Sequence, residues 1–208
     1  MSVNIASVMV KYPELNKVKT RLAESIGSDK ALQVYQLLIE NLSEKSLPTE
    51  ENNYTFGSFV TPADKIVDFQ FLYSNYAFYH KQDGNNLGER MFNAFLQMFT
   101  TQKADKAILI GADIPDLTNT IIEDAFMQLD YADIVLGPTT DGGYYLIGMK
   151  SVHKEIFENI DWGTSDVLNS TLNICRAISL EFKLLEILSD VDTYEDLQKF
   201  PEFINKMQ

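Results

Sequence analysis

The sequence is short of the residue types that build disulfide frameworks, zinc sites and membrane spans. Among its 208 residues there is one cysteine, Cys175, which leaves no partner for a disulfide and no cluster for zinc. Two histidines, His80 and His153, are too few to suggest a histidine metal site. No long stretch is free of charge, so no helical membrane span is expected. Positive charge is scarce, with 17 Lys+Arg against 30 Asp+Glu and a formal net charge of −13. Such an excess repels nucleic-acid backbones at long range, so nucleic acid is not an expected partner. Segment 1–14 has no basic leader ahead of its apolar run, so no signal peptide is expected. These features fit a cytoplasmic protein.

What is present is enough to build a core, since 45% of the residues are hydrophobic and 12% aromatic. The length fits one domain over 1–208. Apolar runs at 5–10, 54–60, 107–112, 133–138, 144–149 and 182–187 read as strands. Leu32, Tyr35, Leu38, Ile39 and Leu42 recur at helical spacing over 28–42, and Leu87, Met91, Phe95 and Met98 do so over 86–99. Further helices are expected from Thr120, which has capping-box spacing to Glu123, through Leu129, from about 165 to 178, and after Asp192-Thr193. Segment 61–80 suits a strand or a short helix equally, and 43–53 reads as a surface loop. Alternating strands and helices point to an α/β layered fold with a largely parallel sheet.

In open α/β sheets ligands bind beyond the carboxyl ends of the strands, so the loops there matter most. The first, 11–27, lacks both the Walker and the dinucleotide glycine patterns. It carries Lys11, Lys17, Lys19 and Arg21 beside one acid, Glu14, with Thr20 between Lys19 and Arg21. Such a loop suits a compact anion such as a nucleotide's phosphates, or is simply a solvated loop. The second, Gly111-Ala112-Asp113-Ile114-Pro115-Asp116, follows a buried strand. Asp113 and Asp116 there can hold a hard cation, or order a turn and favour a helix start. The third, Asp141-Gly142-Gly143-Tyr144-Tyr145, is a strong hairpin signal whose glycines could also bare backbone N–H groups to a substrate. The fourth, 189–196, offers Asp190 and Asp192, more carboxylates than a helix cap requires. The 82–91 segment adds Gln82, a bend at Gly84, a capping Asn86, and Arg90, which reads as a phosphate or carboxylate ligand or as a plain exposed arginine.

The segments 11–22, 82–91, 111–117, 137–149, 161–168 and 190–197, taken in order, resemble a bacterial family of provisionally assigned glycosyltransferases associated with radical-SAM and selenoprotein genes. That family lies within the nucleotide-diphospho-sugar transferase superfamily, with guanylyltransferases among its relatives. The resemblance implies a GT-A-like three-layer αβα sandwich with a mostly parallel mixed sheet. It implies that Lys19 and Arg21 handle nucleotide phosphates, that Asp113 binds Mg²⁺ or Mn²⁺, and that Asp192 is a second metal ligand. Leu15-Asn16 stands where the family carries Pro-Gly, and Asn tolerates the left-handed backbone such a turn uses.

The expected function is a metal-dependent transfer from a nucleotide-activated donor to a small-molecule acceptor. Asp113, Lys19 and Arg21 are its expected catalytic residues. Lys11, Thr20, Gln82, Gly84, Arg90, Asp116, Gly142, Gly143 and Tyr144 are expected to line the substrate. Glycosyl transfer is the leading form. Nucleotidyl transfer that releases pyrophosphate and catalysis-free nucleotide binding are the alternatives. A thermal-shift screen of nucleotides with and without Mn²⁺ tests the shared premise. At least one nucleotide should raise the melting midpoint, and more so with the metal.

Overall fold

Alternation along the first strand sets the layers. In β1 (Asn4–Lys11), Ile5 and Met9 face one side of the sheet while Ala6, Val8 and Val10 pack on the other. A computed structural model describes residues 2–207. After β1 come α1 (Thr20–Ile26), α2 (Ser28–Ser46), β2 (Thr55–Thr61), a 3₁₀ turn (Ala63–Lys65), α3 (Ile66–Leu72) and β3 (Tyr79–Lys81). Next are α4 (Leu87–Thr100), β4 (Lys106–Gly111), α5 (Asn119–Gln128), β5 (Ile134–Pro138), β6 (Tyr144–Met149) and a 3₁₀ turn (Lys154–Phe157). The chain closes with α6 (Val167–Ala177), β7 (Phe182–Leu184), α7 (Tyr194–Leu197) and α8 (Pro201–Lys206).

The strands form one seven-stranded sheet in the order β3-β2-β1-β4-β6-β5-β7. Every neighbouring pair is parallel except those made by β6, which runs antiparallel to β4 and β5. On one face lie α2, α3 and α5, through Tyr35, Ile39, Phe69 and Phe126. The opposite face is covered by α4 and α6, through Met91, Phe95, Met98 and Leu172. The fold is therefore the αβα sandwich with a mostly parallel mixed sheet. No helix among the described residues is long and apolar enough to cross a membrane.

Local readings differ from the sequence expectation where a cap or a tertiary contact decides. The basic segment is a loop only to Lys19, because α1 begins at Thr20. Helix α2 runs on to Ser46, whose hydroxyl donates to the Leu117 carbonyl at 3.2 Å, so the surface loop starts later than 43. Segment 61–80 holds both a helix and the start of an edge strand. Thr118, not Thr120, caps α5, its hydroxyl accepting from the Ile121 N–H. Asn86 caps α4 by accepting from the Glu89 N–H.

The sheet brings the relevant loops to one end. Met9 pairs with Gly111, so the loops after β1 and β4 emerge side by side. Because β6 is antiparallel, its first residues lie at that same end, with Leu146 opposite Ile110. The segment after β7 crosses back over them, the Val191 N–H donating to the Asp113 carbonyl at 3.1 Å.

Helix α4 reaches this end through Gly88. A Cβ there would stand 2.4 Å from the Phe157 carbonyl oxygen and 2.7 Å from the Trp162 indole nitrogen. Alanine favours a helix over glycine by about 1 kcal/mol. Gly88→Ala should nonetheless destabilise the protein by about 1–3 kcal/mol, because the neighbour it strikes is backbone. Urea denaturation would measure this, and a more stable variant would contradict the packing described.

Candidate active site

The loop after β1 is shaped by two left-handed residues. Asn16 has φ 62° and Lys19 has φ 45°. Asn16 thus adopts the backbone expected for the turn in which it replaces glycine. For lysine that conformation costs about 1–2 kcal/mol, and such strain persists where the surroundings hold it. The holding contacts are ionic. Lys19 Nζ donates to Asp113 Oδ2 at 2.7 Å and lies 3.8 Å from Asp192 Oδ1. Its side chain is 5% exposed. Asp192 Oδ2 also accepts from Arg21 Nη1 at 3.1 Å, and Arg21 is 72% exposed. The two carboxylates expected to share a metal therefore converge on one ammonium.

A cavity of about 410 Å³ opens beside this cluster. Four aspartates line it, Asp113, Asp141, Asp190 and Asp192, with Arg21 as the one cation among its lining residues. Burial, together with the charges of Asp113 and Asp141, pushes the Asp190 carboxyl up to about 6, while Lys19 pulls it the other way. Asp141 Oδ1 accepts from Thr139 Oγ1 at 2.6 Å and from the Gly143 N–H at 3.1 Å, which fixes the turn between β5 and β6. The rest of the lining is largely apolar, including Leu87, Met91, Tyr144, Trp162 and Val167.

Several residues expected at the site make hydrogen bonds within the protein and lie off the cavity lining. Gln82 Nε2 donates to the carbonyls of Val10 and Phe59, both at 3.0 Å, tying β1 to β2. Arg90 Nε donates to the Gly84 carbonyl at 3.1 Å, so both residues shape the bend before α4 rather than face the cavity. Lys11 Nζ donates to the Lys17 carbonyl and fastens the first loop. Thr20 and Asp116 are exposed and do not line the cavity. Gly142 has φ 93°, and a Cβ there would strike the Ser165 carbonyl, so its bareness accommodates the 163–168 loop; it is not among the residues lining the cavity. Gly143 and Tyr144 do line the cavity.

Sequence reasoning missed the apolar wall. Leu87 and Met91 read as core positions, and Trp162 carried no role. Its available signals were its place in the 161–168 segment, which carries part of the resemblance, and its being the only tryptophan. Among the described residues no three Asp, Glu, His or Cys side chains are grouped closely enough to hold an ion by themselves.

Residues 59–164 match the sequence profile of DUF2064, described as an uncharacterized protein conserved in bacteria. A 2-phospho-L-lactate guanylyltransferase of Methanocaldococcus sp. (strain FS406-22) is 27% identical over 201 residues, covering 91% of this chain and 78% of that protein. A crystal structure from Desulfovibrio desulfuricans G20, described provisionally as a nucleotide-diphospho-sugar transferase, matches with a TM-score of 0.85 and 31% identity, covering 100% of this chain and 99% of that one. The inositol-1-phosphate CTP transferase from T. maritima matches with a TM-score of 0.55 and 16% identity, covering 100% and 97% of the two chains. At that identity the likeness is one of fold.

The Asp190 environment has a direct consequence for stability. Its carboxyl is raised in the fold, so the folded state holds the proton more tightly than the unfolded chain. Stability falls as pH rises from the ordinary carboxylate range through about 6, and the penalty is complete above that. Asp190→Asn should therefore raise the melting temperature at pH 7.5 in the presence of EDTA, with the gain vanishing below pH 4. A gain that is equal at both pH values would show that charge repulsion is not its cause.

Proposed function

We propose that this chain, which belongs to the DUF2064 family of bacterial proteins, is a transferase that takes a nucleotide-activated donor at the Lys19–Asp113–Asp192 cluster. The observation that carries this reading is the convergence of two carboxylates from distant loops on one buried ammonium, at the mouth of a cavity beyond the carboxyl ends of β1 and β4. Paired opposite charges are not needed there to close a core. They are needed where a polyanion and its counter-ion must both be held.

The donor set suits a hard divalent cation, Mg²⁺ or Mn²⁺. Asp113 and Asp192 offer oxygen ligands only, and such ions are commonly held by one or two carboxylates, the remaining positions being filled by phosphate oxygens and water. The present occupant of the space between them, an ammonium, shows that the position favours positive charge. A bound cation would neutralise charge that develops on the departing phosphate. Lys19 and Arg21 add fixed positive charge on the same phosphates.

Glycosyl transfer is the form proposed first. The acceptor's hydroxyl oxygen forms a bond to the anomeric carbon, the bond from that carbon to the phosphate oxygen breaks, and a nucleoside diphosphate leaves. The hydroxyl proton passes to a carboxylate of the cavity, a role proposed for Asp190, which lines it. The 31% identity to the Desulfovibrio protein over nearly all of both chains supports this form. Nucleotidyl transfer is supported by the guanylyltransferase relative. It would use the same cluster, attack the α-phosphate and release pyrophosphate.

Asp113→Ala should lower Mn²⁺-dependent turnover by about two to three orders of magnitude while leaving the far-UV circular dichroism unchanged. Turnover at the wild-type level would overturn the assignment. The released product separates the two forms: free nucleoside diphosphate supports glycosyl transfer, and pyrophosphate supports nucleotidyl transfer.

A further inference from the structure

We infer that the apolar half of the cavity is the acceptor subsite and that it takes an uncharged alcohol with an apolar body, not a phosphorylated or carboxylated acceptor. The inference rests on the transferase reading above and names the acceptor's chemical class.

The wall combines buried side chains, Met91 and Val167, with half-buried aromatics, Tyr144 and Trp162, and an exposed Leu87. Leu87, in the first turn of α4, is 45% exposed although it faces the cavity lined by Met91, Tyr144, Trp162 and Val167. Tyr144 and Trp162 meet edge to face, with centroids 6.4 Å apart and planes at 84°. The Tyr144 hydroxyl is buried, so the ring and not the polar tip is offered to the cavity. Gly88 lets α4 press against the Trp162 indole, which fixes the wall's position. A rigid aromatic and aliphatic surface of this kind binds apolar matter without any hydrogen-bond demand.

The charges bordering this wall exclude anions. Four aspartates face the cavity against Arg21, which is committed to Asp192. Lys19 is committed to Asp113 and Asp192. A divalent cation would only balance the acids, and the donor's phosphates would then add negative charge. Among the described residues no further lysine, arginine or histidine lines the cavity to receive an acceptor's phosphate or carboxylate. An acceptor anion would meet like charge in a partly enclosed site, where screening is weak. A neutral hydroxyl meets no such barrier.

Trp162, the only tryptophan, reports on this subsite by its own fluorescence. The probes are 2-phenylethanol and 2-phenylethyl phosphate, which share one apolar body and differ in the charged end. The alcohol should quench Trp162 saturably, and the phosphate should bind at least about tenfold more weakly. Leu87→Lys should bring phosphate affinity up to or above that of the alcohol, whereas Leu87→Glu should weaken the phosphate further. Three results would each overturn the inference: no saturable response to the alcohol, equal or tighter binding of the phosphate by the wild-type protein, or displacement of the alcohol by a nucleotide with Mn²⁺ that itself quenches Trp162. The last would make the wall a nucleobase site. Failure of the transferase reading is seen separately, as the absence of any nucleotide that raises the melting midpoint, and does not alter the Trp162 response to the two probes.

Discussion

The buried ammonium of Lys19 ties the site together. It joins the loop after β1 to the end of β4 and to the segment after β7, three regions distant in sequence. A charge that is nearly removed from water is stable only when its partners are held in place. Here the sheet holds them. Parallel pairing of β1 with β4 fixes where Asp113 emerges, and the bond from the Val191 N–H to the Asp113 carbonyl fixes where Asp192 follows. The left-handed backbone at Lys19 is the local cost of aiming its side chain inward.

The same end of the sheet carries two kinds of surface. Charged groups crowd the side toward α1, and apolar groups line the side toward α4 and the 162–167 segment. Antiparallel β6 is what allows this. Because it runs against β4, its first residues, Tyr144 and Tyr145, meet the end of β4 and complete the wall. A fully parallel sheet would have brought a strand terminus and another loop to that position.

Much of the fold was legible because it rests on local pattern. The apolar runs that became β1, β4, β5 and β6 lie within a residue or two of the observed strands, and Asn86 caps α4 as its position suggested. The residues of the charged cluster were legible as candidates, since Lys19, Asp113 and Asp192 sit in loops that follow strands and Arg21 lies in the first turn of the helix after β1. The rest depended on tertiary contacts that no short window contains. Gln82 and Arg90 have the chemistry of ligands, but their hydrogen bonds go to backbone carbonyls. Asp116 lies in the turn closed by the bond from the Leu117 N–H to the Ile114 carbonyl, just beyond Asp113, and is exposed. Asp190 stands out because Asp113 and Asp141 come near it in space. The apolar wall was hidden because an amphipathic helix places Leu87 and Met91 on its apolar stripe whether that stripe meets a core or a cavity.

The path of the segment after β7 has a consequence for how the protein comes into being. Asp190 and Asp192 are reached only after β7 has joined the sheet beside β5 and the chain has turned back across the ends of β4 and β5. While a nascent chain is still emerging from the ribosome, the sheet can assemble around β1, β2 and β4, yet Lys19 has only one of its two carboxylates. Synthesis order therefore withholds the second carboxylate of Lys19 until the segment after β7 has been made.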